Sequence, residues 1–158
     1  MRIHRILGAI AVVSYVLTQT SCATAPPQEP IALDHAALHV ADLEKSASFY
    51  EALGLKRIAD PFKEGRLIWL SAGSHRQLHL ISGRAESSAP DMPVHLAFVV
   101  PSIAVAVARL EAAGVPYYNN LKMPQTVSSR PDGVKQIYLQ DPDGYWVELN
   151  DAPVTGPR

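Results

Sequence analysis

The sequence predicts an α+β fold built from two βαβββ modules, and three observations carry that expectation. The first is an internal repeat. The segment 35–43 (His-Ala-Ala-Leu-His-Val-Ala-Asp-Leu) runs into a helix-like stretch that stops at Gly54. The segment 95–103 (His-Leu-Ala-Phe-Val-Val-Pro-Ser-Ile) does the same and stops at Gly114, so both landmarks are displaced by 60 positions. The second is strand alternation at the start of each copy, where bulky apolar residues take every other position. The third is the three-to-four spacing of apolar residues that follows in each copy, the mark of an amphipathic helix.

Composition is consistent with a folded domain. Of 158 residues, 47% are hydrophobic and 18% charged, an ordinary globular balance. Net charge is −1 and the basic residues are scattered, so there is no electrostatic footprint of a nucleic-acid binder. Cys22 is the single cysteine, which excludes an intramolecular disulfide and a thiolate metal cage.

The chain begins with basic residues (Arg2, Arg5) and a twelve-residue apolar run over 6–17, too short to span a bilayer as a helix but suited to a secretory signal. Residues 1–21 resemble a bacterial lipoprotein signal, which implies Cys22 as the acylated new N-terminus and an exported protein anchored to the membrane by lipid. Gln19 stands where such signals usually carry leucine. The alternatives are plain secretion by cleavage after Ala25, with Pro26 beyond the scissile bond, and an uncleaved anchor. Residues 22–30 read as a proline-rich tether, 31–152 as the folded domain, and 153–158 as a loose tail.

Module one spans 31–83. Its opening strand is expected at 32–40, with Ala36, Leu38 and Val40 facing one way and His35, Ala37 and His39 the other. Asp42 is the expected N-cap of a helix that buries Leu43, Ala47, Tyr50 and Leu53. Further strands are expected at 56–59, 66–71 and 76–82. Residues 84–93 link the copies. Module two spans 94–152, with strands at 94–100, 116–118, 135–140 and 145–150. Ser102 is its helix cap, and Ile103, Val107 and Leu110 form its buried stripe. Gly54 and Gly114 supply left-handed helix ends, and Pro116 prevents continuation of the second helix. Asp141-Pro-Asp-Gly144 is a turn, since proline fixes one torsion and glycine permits a positive one.

Six histidines are candidates for chemistry. His4 falls in the signal. His39 lies four residues from His35 on one strand, roughly 13 Å away at about 3.3 Å per residue, so the two cannot share an ion. The same spacing separates His75 from His79 where that strand is regular. His35, His79 and His95 remain, each on the face opposite its strand's bulky residues, and Glu148 occupies the corresponding face of the last strand. Three imidazoles and a carboxylate suit a borderline or hard divalent cation, with the carboxylate available as a base.

The segments 35–43, the repeated strand at His95, and 139–148 (Leu-Gln-Asp-Pro-Asp-Gly-Tyr-Trp-Val-Glu) resemble the vicinal-oxygen-chelate superfamily. That group includes glyoxalase I, extradiol dioxygenases, methylmalonyl-CoA epimerase and the fosfomycin- and bleomycin-resistance proteins. The resemblance implies paired βαβββ modules in a cupped mixed sheet, with helices outside and one divalent metal ion inside. It maps the metal ligands onto His35, His79, His95 and Glu148, and it implies a homodimer, since relatives often build each site from two subunits. The activity it implies is that of a glyoxalase-like lyase. A substrate with vicinal oxygens would chelate nickel, cobalt, zinc or manganese and pass through an enediolate, with Glu148 as base. His39 replaces an arginine that some bacterial glyoxalases use to hold glutathione. The alternatives are an iron(II) extradiol dioxygenase, with His35, His95 and Glu148 as ligands and His79 as acid–base residue, and a non-catalytic drug or metabolite binder.

Overall fold

A computed structural model describes residues 32–73, 75–85 and 90–153. The expected signal, Cys22 and the tether lie outside the described residues, as do 154–158 of the tail. Module one consists of β1 (His35–Val40), α1 (Leu43–Ala52), β2 (Lys56–Ile58), β3 (Leu67–Ser71) and β4 (Gln77–Ser82). Module two consists of β5 (His95–Val99), α2 (Ile103–Ala112), β6 (Ser128–Ser129), β7 (Lys135–Gln140) and β8 (Trp146–Asn150). Each forms a four-stranded mixed sheet, ordered β1-β4-β3-β2 and β5-β8-β7-β6. In both, the first strand pairs parallel with the last and the other pairings are antiparallel. The duplicated βαβββ architecture expected from the repeat is the architecture observed.

Local chemistry sets the helix boundaries. The side chains of Asp42 and Ser102 accept from the amides of Lys45 and Val105, satisfying donors that the first turn leaves orphaned. At the other ends the two helices close identically. Gly54 and Gly114 take positive φ (109° and 66°), and their amides donate to Glu51 and Glu111. The following amides of Leu55 and Val115 reach back to Tyr50 and Leu110, completing a Schellman motif in each copy. One apolar core gathers residues of both modules, including Tyr50, Leu70, Leu80, Ile137, Leu139 and Val147, all essentially unexposed. Each of the aliphatic side chains contributes about 1.5–3 kcal/mol by leaving water.

Module two departs from expectation in one lane. Residues 116–118 form no strand; Tyr118 makes isolated bridges to Pro124 and Tyr138, and the fourth strand is instead the short β6. Pro116 lacks an amide to donate, and the chain leaves the sheet after a single bridge. It returns beside β7 ten residues later. The excursion it makes in between lies next to the candidate site.

The Asp141–Gly144 turn does more than reverse the chain. The Asp141 carboxylate is buried, accepting from the Tyr50 hydroxyl (2.8 Å) and from the amides of Asp143 and Tyr145. Asp143 accepts from the Ala41 amide and the Ser46 hydroxyl. Burial raises the Asp141 carboxyl above its usual range while those donors pull it down, and burial beside Asp141 drives the Tyr50 hydroxyl up. The turn of module two is thereby fastened to the helix of module one.

Candidate functional site

On module one the parallel pairing of β1 and β4 brings His35 and His79 together. Their rings stack at 4.3 Å between centroids, 15° from parallel. Trp69, opposite His79 on β3, stacks on its other side at 3.8 Å. The Trp69 indole N–H is buried and finds no acceptor among the described residues, so packing alone holds this ring. His35 Nδ1 donates to Asp34 (2.7 Å), leaving Nε2 with its lone pair. His79 Nε2 donates to Gln77 Oε1 (2.8 Å), leaving Nδ1 as its free nitrogen. Burial, and then the neighbouring His35 ring, pushes the His79 imidazole below its ordinary range, so it is held neutral.

On module two the parallel pairing of β5 and β8 sets His95 beside Glu148, with Nε2 and Oε2 3.2 Å apart. Glu148 is buried and fully supplied with donors. The Tyr138 hydroxyl donates to Oε2 (2.8 Å) from β7, and Asn150 donates to Oε1 (2.7 Å) from two positions along β8. Burial and the Glu148 carboxylate raise the Tyr138 hydroxyl above its usual range, which keeps it a donor. His95 Nδ1 donates to the Met92 carbonyl (2.8 Å), which turns Nε2 toward the carboxylate. Two acceptors at that distance are held together by a shared proton or a shared cation. A neutral nitrogen and a hard oxygen, each oriented by an outer hydrogen bond, form a donor pair that fits a first-row divalent ion.

Within one chain, then, the four expected ligands lie as two pairs, one per sheet. Among the described residues no group of three or more His, Cys, Asp or Glu side chains converges as a metal site. His39 is occupied elsewhere, with Nε2 donating to the Ser82 carbonyl (2.9 Å). His75 precedes β4 in a turn at φ 62°, so strand spacing does not apply to it.

Sequence reasoning missed Asp34, Trp69 and Tyr138. Only the i, i+2 neighbours, Gln77 with His79 and Asn150 with Glu148, were visible as sharing a face. Tyr138 opposes Glu148, and Trp69 opposes His79, only through the antiparallel register.

The sequence model described as the Glyoxalase/Bleomycin resistance protein/Dioxygenase superfamily matches residues 32–149. YwbC of Bacillus subtilis (strain 168) is 28% identical over 124 residues, covering 74% of this chain and 94% of that protein. A lactoylglutathione lyase of Pseudomonas aeruginosa is 35% identical over 63 residues, but these are 39% of this chain and 31% of the enzyme. Among solved structures, Oxidase ChaP-H2 superposes with a TM-score of 0.66 at 23% identity, covering 79% of this chain and 96% of that one. The lactoylglutathione lyase of Agrobacterium tumefaciens superposes with a TM-score of 0.58 at 24% identity, covering 78% and 95%. At these identities the superpositions speak to fold alone.

Proposed function

Given that this chain belongs to the glyoxalase/bleomycin resistance protein/dioxygenase superfamily, we propose that it is a divalent-metal-dependent, glyoxalase-like lyase or isomerase whose site is shared between two copies of the chain. His35 and His79 of one copy and His95 and Glu148 of the partner subunit supply the donors. The observation that carries this reading is the division of the donors into two oriented pairs, each too small to hold an ion by itself. The sheet edges agree with it. β1 and β5 are both edge strands, and Leu33, Val94 and Val99, on or beside them, are exposed apolar residues of the kind an interface covers.

The bound ion would act as a Lewis acid toward vicinal oxygens of a small substrate. The chain's own residues do the rest. Glu148 takes a proton from one of the carbons bearing those oxygens and returns it to the other. Tyr138 and Asn150 hold its two oxygens in place, and the half-buried His95 stands beside it. The stack of Trp69, His79 and His35 orients the opposite half-site.

The same stack supports a second reading. Held between Trp69 and His35 with Nε2 tied to Gln77, His79 is also placed to carry protons without touching the ion. The remaining two histidines and one carboxylate are the set used by iron(II) dioxygenases.

Mixing two defective variants tests the shared site. His35→Ala and Glu148→Ala homodimers should each bind nickel weakly, whereas co-refolded mixtures should regain tight sites, because each heterodimer carries one intact set. Titration of tight nickel against chelator reads the outcome. A mixture no better than its parents would place the site within one chain and overturn the proposal.

A further inference from the structure

Beside His95 opens a cavity of about 410 Å³, lined in part by Tyr138, Asn120, Lys122 and Asp91. That volume sits low in the range of about 300–1,000 Å³ usual for small-ligand pockets. Lys122 reaches it from the excursion that replaced the expected strand, and this segment is built rigidly. The backbones of Tyr118 and Tyr138 exchange two hydrogen bonds (2.7 and 2.8 Å). The buried Asn119 side chain accepts from the amides of Leu121 and Met123, both at 2.9 Å, and the Asn119 carbonyl accepts from the Lys122 amide.

Lys122 itself sits at φ 60°, a left-handed conformation in which glycine or asparagine would be relaxed and lysine is not. A strained lysine in the lining of a cavity points to a use for its side chain. Its ammonium lies 5.7 Å from the centre of the Trp146 ring, a contact that fixes its direction without neutralising it. Among the described residues Lys122 forms no ion pair; Asp91 lines the same cavity but is not bonded to it.

We infer that Lys122 recognises an anionic group of the substrate, so that the site takes small organic acids whose vicinal oxygens lie toward His95 and whose distal anion pairs with Lys122. This rests on the reading of His95 and Glu148 as half of the metal site. An ammonium is a point charge and does not distinguish a carboxylate from a phosphate by shape. The class is therefore an acid bearing either group.

Two matched pairs of 2-hydroxy acids test the inference by calorimetry on the nickel-loaded full chain. 2-Hydroxyglutarate is compared with 2-hydroxypentanoate, and 3-phosphoglycerate with glycerate. Each pair shares the chelating end and differs in the distal charge. At least one charged member should bind about ten- to a hundredfold more tightly than its neutral-ended partner, as expected for a charge-assisted hydrogen bond. Which pair responds identifies the anion. Lys122→Met should erase the preference while leaving the neutral-ended ligand unchanged, and Lys122→Arg should largely retain it.

A second arm needs no metal. In the metal-free chain, glutarate and inorganic phosphate are titrated while the Trp146 indole N–H resonance is followed, and the shift should vanish in Lys122→Met. Failure of nickel to bind with this second arm intact would refute the metal reading and leave the anion site standing. Equal binding within both pairs, or a preference that survives Lys122→Met, would overturn the inference.

Discussion

The two halves of the candidate site hold their donors by different physics, although they come from copies of one βαβββ unit. Module one holds its imidazoles chiefly by stacking, with one hydrogen bond apiece to Asp34 and Gln77: Trp69, His79 and His35 lie nearly parallel, and His35 remains exposed. Module two holds a carboxylate by hydrogen bonds, with both Glu148 oxygens engaged by Tyr138 and Asn150 and the residue almost fully buried. The chemistry of the held group explains the contrast. A neutral ring loses less on leaving water than a charged group does, and one hydrogen bond together with aromatic contact keeps it in place. A buried carboxylate needs donors on each oxygen or it ceases to be charged. At the equivalent position across the strand the aromatic residue stacks in one copy, as Trp69 on His79, and donates a hydrogen bond in the other, as Tyr138 to Glu148.

The largest expected effect comes from opening the polar cage. Asn150→Leu and Tyr138→Phe should each weaken nickel binding by about 10–100-fold, the usual cost of losing an outer hydrogen-bond partner. Trp69→Leu, which removes the stacking equivalent, should cost less than about tenfold, since an aromatic contact contributes about 0.5–1.5 kcal/mol. Chelator competition on the three variants measures this. Equal losses in both modules would break the distinction between stacked and hydrogen-bonded halves.

A smaller effect is expected where the modules are joined. Tyr50→Phe leaves the buried Asp141 carboxylate one donor short and should lower unfolding stability by about 1–3 kcal/mol, without altering metal affinity. Urea denaturation followed by circular dichroism reports it. A loss of metal affinity in this variant would mean that the joint also sets the geometry of the halves.

The smallest effect concerns charge on the stacked side. The folded protein holds the His79 imidazole below its ordinary value of about 6.5, so the unfolded chain takes up this proton more readily. The contribution to stability is complete above that value and is lost as pH falls through the lower, folded one. In the metal-free protein, wild type should lose stability more steeply than His79→Gln below about pH 6.5. Parallel stability curves for the two would show that stacking imposes no penalty on the charged ring.

Much of this was legible in the sequence because it depends on near neighbours. Asp42, Ser102, Gly54 and Gly114 each act within one helical turn, so the helix ends could be placed from local spacing. Strand alternation put His35, His79, His95 and Glu148 on faces away from the bulky apolar residues. The strand expected at 116–118 failed because pairing there depends on what lies across the gap: β7 accepts a single bridge at Tyr138 and waits for residues 128–129.

What the sequence determined by itself is the duplicated unit, its caps and turn, and the identity of the candidate donors, all set by periodicity and by contacts a few residues apart. Tertiary structure alone decided who meets whom. Register set Tyr138 against Glu148 and Trp69 against His79, the Asp141 turn was brought to Tyr50 across 91 positions, and Lys122 was brought into the lining of the cavity beside His95. It also decided that the four donors stand as two pairs. Alternation fixes the face on which a side chain lies, whereas distance between faces depends on how whole sheets pack, and no local pattern encodes that.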